Sequence, residues 1–322
     1  MAVRIGFIGS GGIANHHMRN LATNSAAEMV AFSDPDVERA RAAAKQYGGT
    51  AYKSYRTMLK RVDLDAAFIC TPPFAHTDQE KLAIEAGCAI FIEKPIGLNI
   101  KRVEANAELI AKHGTVSSVG YNWRYTDAAQ TAHKILRGKR VAVVNGAWMG
   151  GAPGVYWWRQ MKLSGGQVVE QTTHIFDLAR YLVGEVETVF ASGTRGIITE
   201  KDMPGFDVHD ASVVQLRFAN GAVGNITSAC IVSQGGPVDL NIFSRDLSLR
   251  IGGSALHVRK PGAEEIHHDH TNPTAASHEA FLAAVEKRDG PAILSSYEDA
   301  AKSLRVTLAA NRSMETGKPV VI

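Results

Sequence analysis

Long apolar runs, a strong charge of one sign and a disulfide framework are all absent from this sequence of 322 residues. No apolar run approaches the roughly 20 residues that a membrane helix needs, so membrane association is not expected. The net charge is +3 and the basic residues are scattered, which does not favour nucleic-acid binding. Three cysteines, Cys70, Cys88 and Cys230, are odd in number and far apart, so we expect reduced thiols in a cytoplasmic protein. Strand-like sequence from Val3 onward leaves no room for a signal peptide.

The length and the composition, with 45% hydrophobic and 21% charged residues, suit a globular protein of two domains. In the first domain, expected over residues 1–121, short apolar segments alternate with helical patterns such as residues 37–47 and 78–86. This alternation predicts an α/β fold, a doubly wound parallel sheet with helices on both faces. Strands are predicted at residues 3–9, 28–33, 66–70, 89–92 and 116–119.

Beyond residue 121 the pattern changes to consecutive strand-like runs, which form the expected second domain over residues 122–322. Asn220-Gly221, between two alternating runs, is a strong hairpin signal, and short connections between strands predict antiparallel pairing. Two helices are predicted near the end of the chain, at residues 277–288 and 297–315, the second stopping before Gly317. Strands are predicted at residues 141–148, 186–193, 211–218, 222–230, 238–243 and 247–251.

The turn after the first predicted strand is rich in glycine and reads Gly9-Ser10-Gly11-Gly12-Ile13-Ala14. Gly9 permits a tight turn, Gly11 lets the backbone approach a pyrophosphate, and Ala14 is small enough for close packing of helix on strand. The N–H groups at the start of the next helix can bind phosphate. The turn therefore predicts a dinucleotide site, the alternative being a glycine turn that binds no ligand.

Asp34 ends the second predicted strand, 25 residues after Gly9. A carboxylate there can accept hydrogen bonds from both ribose hydroxyls of NAD and repels the 2′-phosphate of NADP. We therefore predict NAD as the cofactor. NADP is the alternative, since Ser33 and Arg39 are close enough in sequence to reverse the preference.

Two further segments carry candidate catalytic groups. Glu93-Lys94-Pro95 closes the predicted strand at residues 89–92, and the carboxyl end of a parallel strand is where such sheets bind their ligands. Glu170, His174 and Asp177 have the spacing i, i+4, i+7, which places them on one face of a helix. A polar stripe on a solvent-facing helix has the same spacing, but the presence of both segments favours an active site.

Taken in order, these motifs resemble the Gfo/Idh/MocA oxidoreductase family. The resemblance rests on the glycine turn, Ser33-Asp34-Pro35-Asp36, Thr71-Pro72-Pro73 with His76, Glu93-Lys94-Pro95, the stretch from Gly165 to Asp177, and the ending from Ser295 to Ser313. It implies an N-terminal Rossmann domain and a C-terminal α+β domain with a largely antiparallel open sheet. That sheet serves the family as an oligomer interface, so a homodimer or homotetramer is expected.

The same resemblance implies hydride transfer between NAD or NADP and a sugar, inositol or related polyol. Removing hydride from a secondary alcohol also requires a group that takes the hydroxyl proton. We predict His174 as that base, Lys94 as the cation that stabilises negative charge on the oxygen, and Glu170 as the group that orients them. Asp177 would only orient or cap, and Glu170 stands where many family members have aspartate. The Lys94–Pro95 bond is predicted to be cis.

The expected ligand contacts follow from these motifs. Cofactor-binding residues are predicted to be Gly9, Gly11, Gly12, Ile13, Asp34, Thr71, Pro72, His76, Glu93 and Lys94. Substrate-binding residues are predicted to be Lys94, Tyr121, Asn122, Arg124, Trp158, Arg159, Lys162, Glu170 and His174, because aromatic faces and hydrogen-bonding groups together suit a sugar ring. The basic members of that set could instead indicate an acidic sugar.

No metal site is predicted. His267, His268 and His270 surround Asp269, but there is no second ligand cluster at a supporting spacing, so a solvated loop is expected. Two other functions remain open from the sequence. One is a redox-neutral enzyme that keeps its NAD bound during glycoside hydrolysis or epimerisation, and the other is a regulator that senses NAD and sugar without catalysis.

Overall fold

The computed structural model describes residues 2–287 and 289–322, which divide into two compact units. One unit comprises the chain up to Asn122 together with Asn272–Ala301, and the other comprises Trp123–Thr271 with Lys302–Ile322. The sequence pattern predicts a second domain over all of residues 122–322, which differs from this division. Packing explains the difference, because Phe281 is fully buried against the rings of Phe68 and Phe91 in the first unit.

The first unit has a six-stranded parallel sheet in the order β3-β2-β1-β4-β5-β6 within the described residues, which confirms the doubly wound arrangement. The three-residue strand β3 was not predicted, because it is too short to show a pattern. The elements are β1 Val3–Ile8, α1 Gly12–Leu21, β2 Ala27–Ser33, α2 Val37–Tyr47, β3 Thr50–Tyr52, α3 Tyr55–Arg61, β4 Ala66–Ile69, α4 Gln79–Glu85, β5 Ala89–Ile92, α5 Ile100–His113 and β6 Ser117–Val119.

A row of four phenylalanines crosses this sheet and aligns the ends of its strands. Phe7 is in register with Phe32 on one side and with Phe68 on the other, and Phe68 is in register with Phe91. Their ring centroids lie 4.7–5.9 Å apart between neighbours. Since parallel strands share one direction, this register brings the residues that follow the four strands to one edge of the sheet.

The second unit has a nine-stranded sheet in the order β14-β13-β12-β11-β7-β10-β9-β8-β15, counted over the described residues. Pairing is antiparallel except between β7 and β10, which run parallel. Helix α10, Pro273–Glu286, belongs to the first unit, and helix α11, Tyr297–Thr316, belongs to the second unit from Lys302 onward. The elements are α6 Asp127–Leu136, β7 Val141–Met149, α7 Met161–Ser164, α8 Gly166–Glu170, α9 Thr173–Val183, β8 Val186–Thr194, β9 Ala211–Phe218, β10 Val223–Ala229, β11 Val238–Ser244, β12 Leu247–Gly252, β13 Ala255–Lys260, β14 Ala263–His268, α11 Tyr297–Thr316 and β15 Val320–Val321.

One face of the second sheet is covered and the other is open. Buried residues of α6, α9 and α11, among them Ala128, Phe176 and Val306, pack with the inward residues of the strands in one core. On the other face Val213 and Val223 are exposed. Among the described residues, no helix combines the length and the apolar character that crossing a membrane requires.

Candidate active site

The glycine turn joins β1 to α1 and leaves the helix N-terminus open. Gly9 has φ +93°, and a Cβ there would lie 2.7 Å from the carbonyl oxygen of Cys70, so only glycine fits. Gly11 is the N-cap residue, and a Cβ on Gly11 or Gly12 would meet no atom within 4 Å. The first turn of α1 carries no acidic residue. Backbone N–H groups and the positive end of the helix dipole can therefore receive a pyrophosphate.

Two buried hydroxyls flank this turn. Ser10 Oγ follows β1 and Thr71 Oγ1 follows β4, and among the described residues neither has a hydrogen-bond partner. Buried polar groups in native proteins nearly always have partners, so these two atoms fit a bound polar ligand. Pro72, which begins the next short helical turn, is partly exposed.

Asp34 is fixed against the glycine turn by two backbone N–H groups. Its Oδ2 accepts a hydrogen bond of 2.9 Å from Ser10, and its Oδ1 accepts one of 2.9 Å from Asp36. Both residues that could favour NADP, Ser33 and Arg39, have partners within the protein. Ser33 Oγ donates to the carbonyl oxygen of Phe7, and Arg39 pairs with Asp36 at 3.2 Å. The residues present fit NAD.

Glu93 and Lys94 follow β5 at the same edge of the sheet. The Glu93 carboxylate is buried, and its Oε2 accepts a hydrogen bond of 3.1 Å from the backbone N–H of Lys94. Lys94 itself is partly exposed, and the bond between Lys94 and Pro95 is cis, as predicted.

His76 is buried and has a carboxylate partner. Its Nδ1 lies 2.5 Å from Oε1 of Glu80, which is also buried, and its carbonyl oxygen accepts a hydrogen bond from the guanidinium of Arg102. His76 and the loop after Thr71 are thereby fixed to α4 and α5.

The segment that carries Glu170, His174 and Asp177 is two helices and not one. α8 ends at Glu170 and α9 begins at Thr173. The N–H groups of Gln171 and Thr172 both donate to the carbonyl oxygen of Gln167, which tightens the chain and ends the first helix. The single helix face expected from the spacing is therefore wrong, because spacing does not reveal the break.

His174 is one of three nearly parallel rings. Its centroid lies 5.3 Å from that of Trp123 and 6.0 Å from that of Trp148, and the two indoles lie 5.6 Å apart. The interplanar angles are 16–18°. The stack restricts the plane in which the imidazole lies.

Glu170 is held by Trp158. The indole N–H of Trp158 donates a hydrogen bond of 2.8 Å to Oε2 of Glu170. Trp158 is fully buried in a small apolar cluster with Val208 and Cys230. The expectation that Trp158 contacts substrate is corrected by this burial, since its side chain supports Glu170 from the interior.

Asp177 forms a buried network inside the second unit. Its two oxygens accept hydrogen bonds of 2.6 and 2.7 Å from the guanidinium of Arg124, and Ser303 Oγ donates a third bond of 2.7 Å. Arg124 also lies over the ring of Tyr181, 5.1 Å from its centroid. Arg124 therefore serves the core of the unit, which corrects its prediction as a substrate residue.

Both parts of the chain match models of known families. The model described as "Oxidoreductase family, NAD-binding Rossmann fold" matches residues 3–121. The model described as "Oxidoreductase family, C-terminal alpha/beta domain" matches residues 133–322, which is more than half of the chain. The chain belongs to the Gfo/Idh/MocA oxidoreductase family. The first unit is thus an NAD-binding Rossmann fold.

The chain is also similar over its whole length to dehydrogenases of similar length. Inositol 2-dehydrogenase of Rhizobium meliloti is 29% identical, with 100% of both chains covered. A scyllo-inositol 2-dehydrogenase (NAD(+)) of Bacillus subtilis is 26% identical, with 99% of this chain and 96% of the relative covered. A levoglucosan dehydrogenase solved with NADH and levoglucosan has a TM-score of 0.87 over 100% of this chain and 99% of its own. At 22% identity, that last likeness shows the fold.

The other residues predicted for this Gfo/Idh/MocA site have varied surroundings. Ile13 is exposed on α1, and Tyr121 is buried. The side-chain amide of Asn122 donates to Thr274 Oγ1 at 3.1 Å. Lys162 is exposed, and Arg159 is partly buried, with its guanidinium directed at backbone carbonyl oxygens of Gly154 and Pro204.

His17, which the sequence analysis did not select, contacts the Glu93 carboxylate at 2.8 Å. A signal for it existed, because Ala14, His17, Met18 and Leu21 are the buried positions of α1, and histidine is unusual on such a face. Over the described residues, the structure contains no group of three or more histidine, cysteine or acidic side chains placed to hold a metal ion.

Proposed function

We propose that this protein is an NAD-dependent dehydrogenase that oxidises a secondary hydroxyl of a sugar, inositol or related polyol. The observation that carries the proposal is the combination of a glycine turn and a fixed Asp34 with Lys94 and His174, in a chain that aligns over its full length with an inositol 2-dehydrogenase. The two full-length relatives named above both act on inositols, which makes an inositol the first substrate to test.

The residues of the chain have separate tasks in this proposal. His174 takes the proton from the reacting hydroxyl, and the Trp123–Trp148 stack keeps its ring in one plane. Lys94 donates a hydrogen bond from its ammonium group to the same oxygen and stabilises the negative charge that develops there. Glu170, fixed by Trp158, orients the base or a neighbouring substrate hydroxyl. NAD held by the glycine turn and Asp34 would supply the hydride acceptor for the substrate carbon.

Asp34 selects the cofactor. Its carboxylate stands at the end of β2, fixed by the N–H groups of Ser10 and Asp36, where it can accept the ribose hydroxyls of NAD. A 2′-phosphate at the same place would bring like charges together, which disfavours NADP.

A homo-oligomer, either a dimer or a tetramer, is part of the proposal. The open face of the nine-stranded sheet carries Val143 in register with Val223 on one side and with Phe243 on the other. All three are exposed, and contiguous exposed apolar residues on a sheet commonly mark a protein interface. A second copy of this chain is the proposed occupant.

A cytoplasmic location is also part of the proposal. The three free cysteines are all buried, which supports it.

The deciding experiment measures reduced nicotinamide by absorbance while inositols, neutral sugars and sugar acids are offered with NAD and, in parallel, with NADP. Turnover of a polyol or sugar with NAD supports the proposal, and preference for a sugar acid would identify an acidic substrate. Cofactor binding without any turnover would contradict it and favour the sensing regulator. A cofactor that copurifies and never exchanges, with net conversion of a glycoside or an epimer, would favour the redox-neutral enzyme.

A further inference from the structure

Two histidines and a carboxylate form a buried series of side-chain hydrogen bonds in the first unit. His17 of α1 places Nε2 2.8 Å from Oε1 of Glu93 and Nδ1 2.7 Å from Nε2 of His278 in α10. The exposed fractions of these residues are 3%, 7% and 1% for His17, Glu93 and His278. The residues come from three distant parts of the sequence, so only the fold brings them together.

The surroundings of the two imidazoles are aromatic. The ring of His17 meets those of Phe68 and Phe91 edge-on at 5.9 and 5.3 Å, and the ring of His278 meets the same two at 5.4 and 5.3 Å. Burial here lowers the pKa of His278 well below its usual value, with His17 and His16 adding to the effect. Burial and the charge of Glu93 raise the pKa of the Cys70 thiol, which keeps Cys70 protonated.

The number of available protons limits how His278, His17 and Glu93 can be hydrogen-bonded to one another. Each of the two short contacts needs one proton between its heavy atoms. If His278 is neutral and donates from Nε2, then His17 accepts at Nδ1 and donates from Nε2 to Glu93. This assignment leaves only the lone pair of His278 Nδ1 without a partner among the described residues, which is less costly than a buried N–H without one. The carboxylate of Glu93 is the final acceptor in this series of hydrogen bonds.

The carboxylate has little room to move. A Cβ on Gly120 would lie 2.5 Å from Oε1 of Glu93 and 2.9 Å from its carboxyl carbon, so a larger residue there would displace the carboxylate. Oε2 accepts the backbone N–H of Lys94 at 3.1 Å. Glu93 is thus confined by Gly120, His17 and the backbone of the residue that follows it.

We propose that His17 and His278 are positioning residues for the active site, which fix the Glu93 carboxylate and, through its hydrogen bond, the backbone of Lys94. The pair does not touch substrate and acts only through Glu93. The proposal rests on the proposed function in one respect, the action of Lys94 on the substrate hydroxyl.

The first test compares His17→Phe with His17→Gln. Phenylalanine keeps an aromatic ring in the Phe68–Phe91 cluster but removes both hydrogen bonds, whereas glutamine can restore an N–H donor to Glu93. His17→Phe is expected to lower kcat by about 100-fold, the effect of a small misplacement of a catalytic group, and to change KM much less. His17→Gln should recover part of the lost kcat. Arg19→Gln, at an exposed position of the same helix, is the matched control and should retain wild-type kcat.

The second test measures cofactor binding, because Glu93 is itself a predicted cofactor-binding residue, and this test does not depend on finding a substrate. NADH affinity is measured by fluorescence for Glu93→Gln, His17→Phe and the double variant. Coupled residues give effects that do not add, and we expect the double variant to be no weaker than the worse single variant. Additive effects on Kd would overturn the proposal even if the dehydrogenase activity is established. A lower melting temperature with unchanged kcat and Kd would show that His17 and His278 serve only core packing, and it would also overturn the proposal.

Discussion

The indole N–H of Trp158 lies 2.8 Å from Oε2 of Glu170 and ties the candidate orienting carboxylate to a buried core. Glu170 stands at the last residue of α8, directly before the break that separates it from the helix of His174. Its position therefore depends on Trp158 and not on a continuous helix.

Removing this hydrogen bond should reduce activity without removing the carboxylate. Trp158→Phe is expected to lower kcat/KM by about 10- to 150-fold, because a hydrogen bond to a charged group contributes about 1.5–3 kcal/mol. Steady-state kinetics on the identified substrate measure the effect. Trp157→Phe, the neighbouring indole, is the control. If Glu170→Gln abolishes most activity while Trp158→Phe changes nothing, the hydrogen bond from Trp158 does not help to orient the Glu170 carboxylate.

Lys94 and His174 should be needed for turnover and much less for cofactor affinity. Lys94→Ala is expected to lower kcat by about 100- to 1,000-fold, since it removes a donor to the developing negative charge. His174→Asn should lower kcat by about 100- to 10,000-fold, since it removes the base. Kinetics and NADH titration together separate the two effects, with Lys112→Ala on the exposed end of α5 as the control. Near-wild-type kcat in both variants would refute the assignment.

Asp34 should set the preference for NAD. Asp34→Ser removes the carboxylate that would repel a 2′-phosphate, so the ratio of kcat/KM with NADP to that with NAD should rise about tenfold or more, a change of about 1.4 kcal/mol. Glu38→Gln is the matched control, because it removes a charge of the same sign from the first turn of α2 and leaves the Asp36–Arg39 pair intact. An unchanged cofactor ratio in Asp34→Ser would show that another group discriminates.

Asp177 and Arg124 should matter for stability. Asp177→Asn leaves the buried guanidinium without its charge partner, which is expected to cost about 3–5 kcal/mol in the free energy of unfolding. Combining it with Arg124→Met should restore part of that loss, as chemical denaturation can show. Glu38→Gln breaks the exposed pair with Arg41 and should change stability by less than about 1 kcal/mol. A small loss in Asp177→Asn would contradict the role of the pair.

The open face of the nine-stranded sheet is expected to form the interface between subunits of the homo-oligomer. Val143→Lys and Phe243→Lys each place a charge on that face and are expected to lower the mass measured by light scattering after size-exclusion chromatography. Ile197→Lys changes another exposed apolar residue, 56% exposed, and should leave the mass unchanged. If the wild type is a monomer, or if both sheet variants keep its oligomeric mass, this face is not the interface.

Local patterns in the sequence were sufficient for the parts of the site that follow strands. The glycine turn, Asp34, Thr71 and Glu93-Lys94-Pro95 each come directly after an apolar run, and parallel strands carry such residues to one edge. The helix at residues Val37–Tyr47 was predicted with the bounds that the structure has. These features depend on neighbours in the chain, which is why the sequence by itself determined them.

Only the tertiary structure decided which buried polar groups are paired. His17 meets Glu93 and His278, 76 and 261 residues away, and Asp177 meets Arg124, 53 residues away. A hydrogen-bonded pair of this kind has no local pattern, since each side chain shows only its own polarity. The same reason placed Asn272–Ala301 in the first unit, because the apolar face of α10 could be matched to its core only after folding.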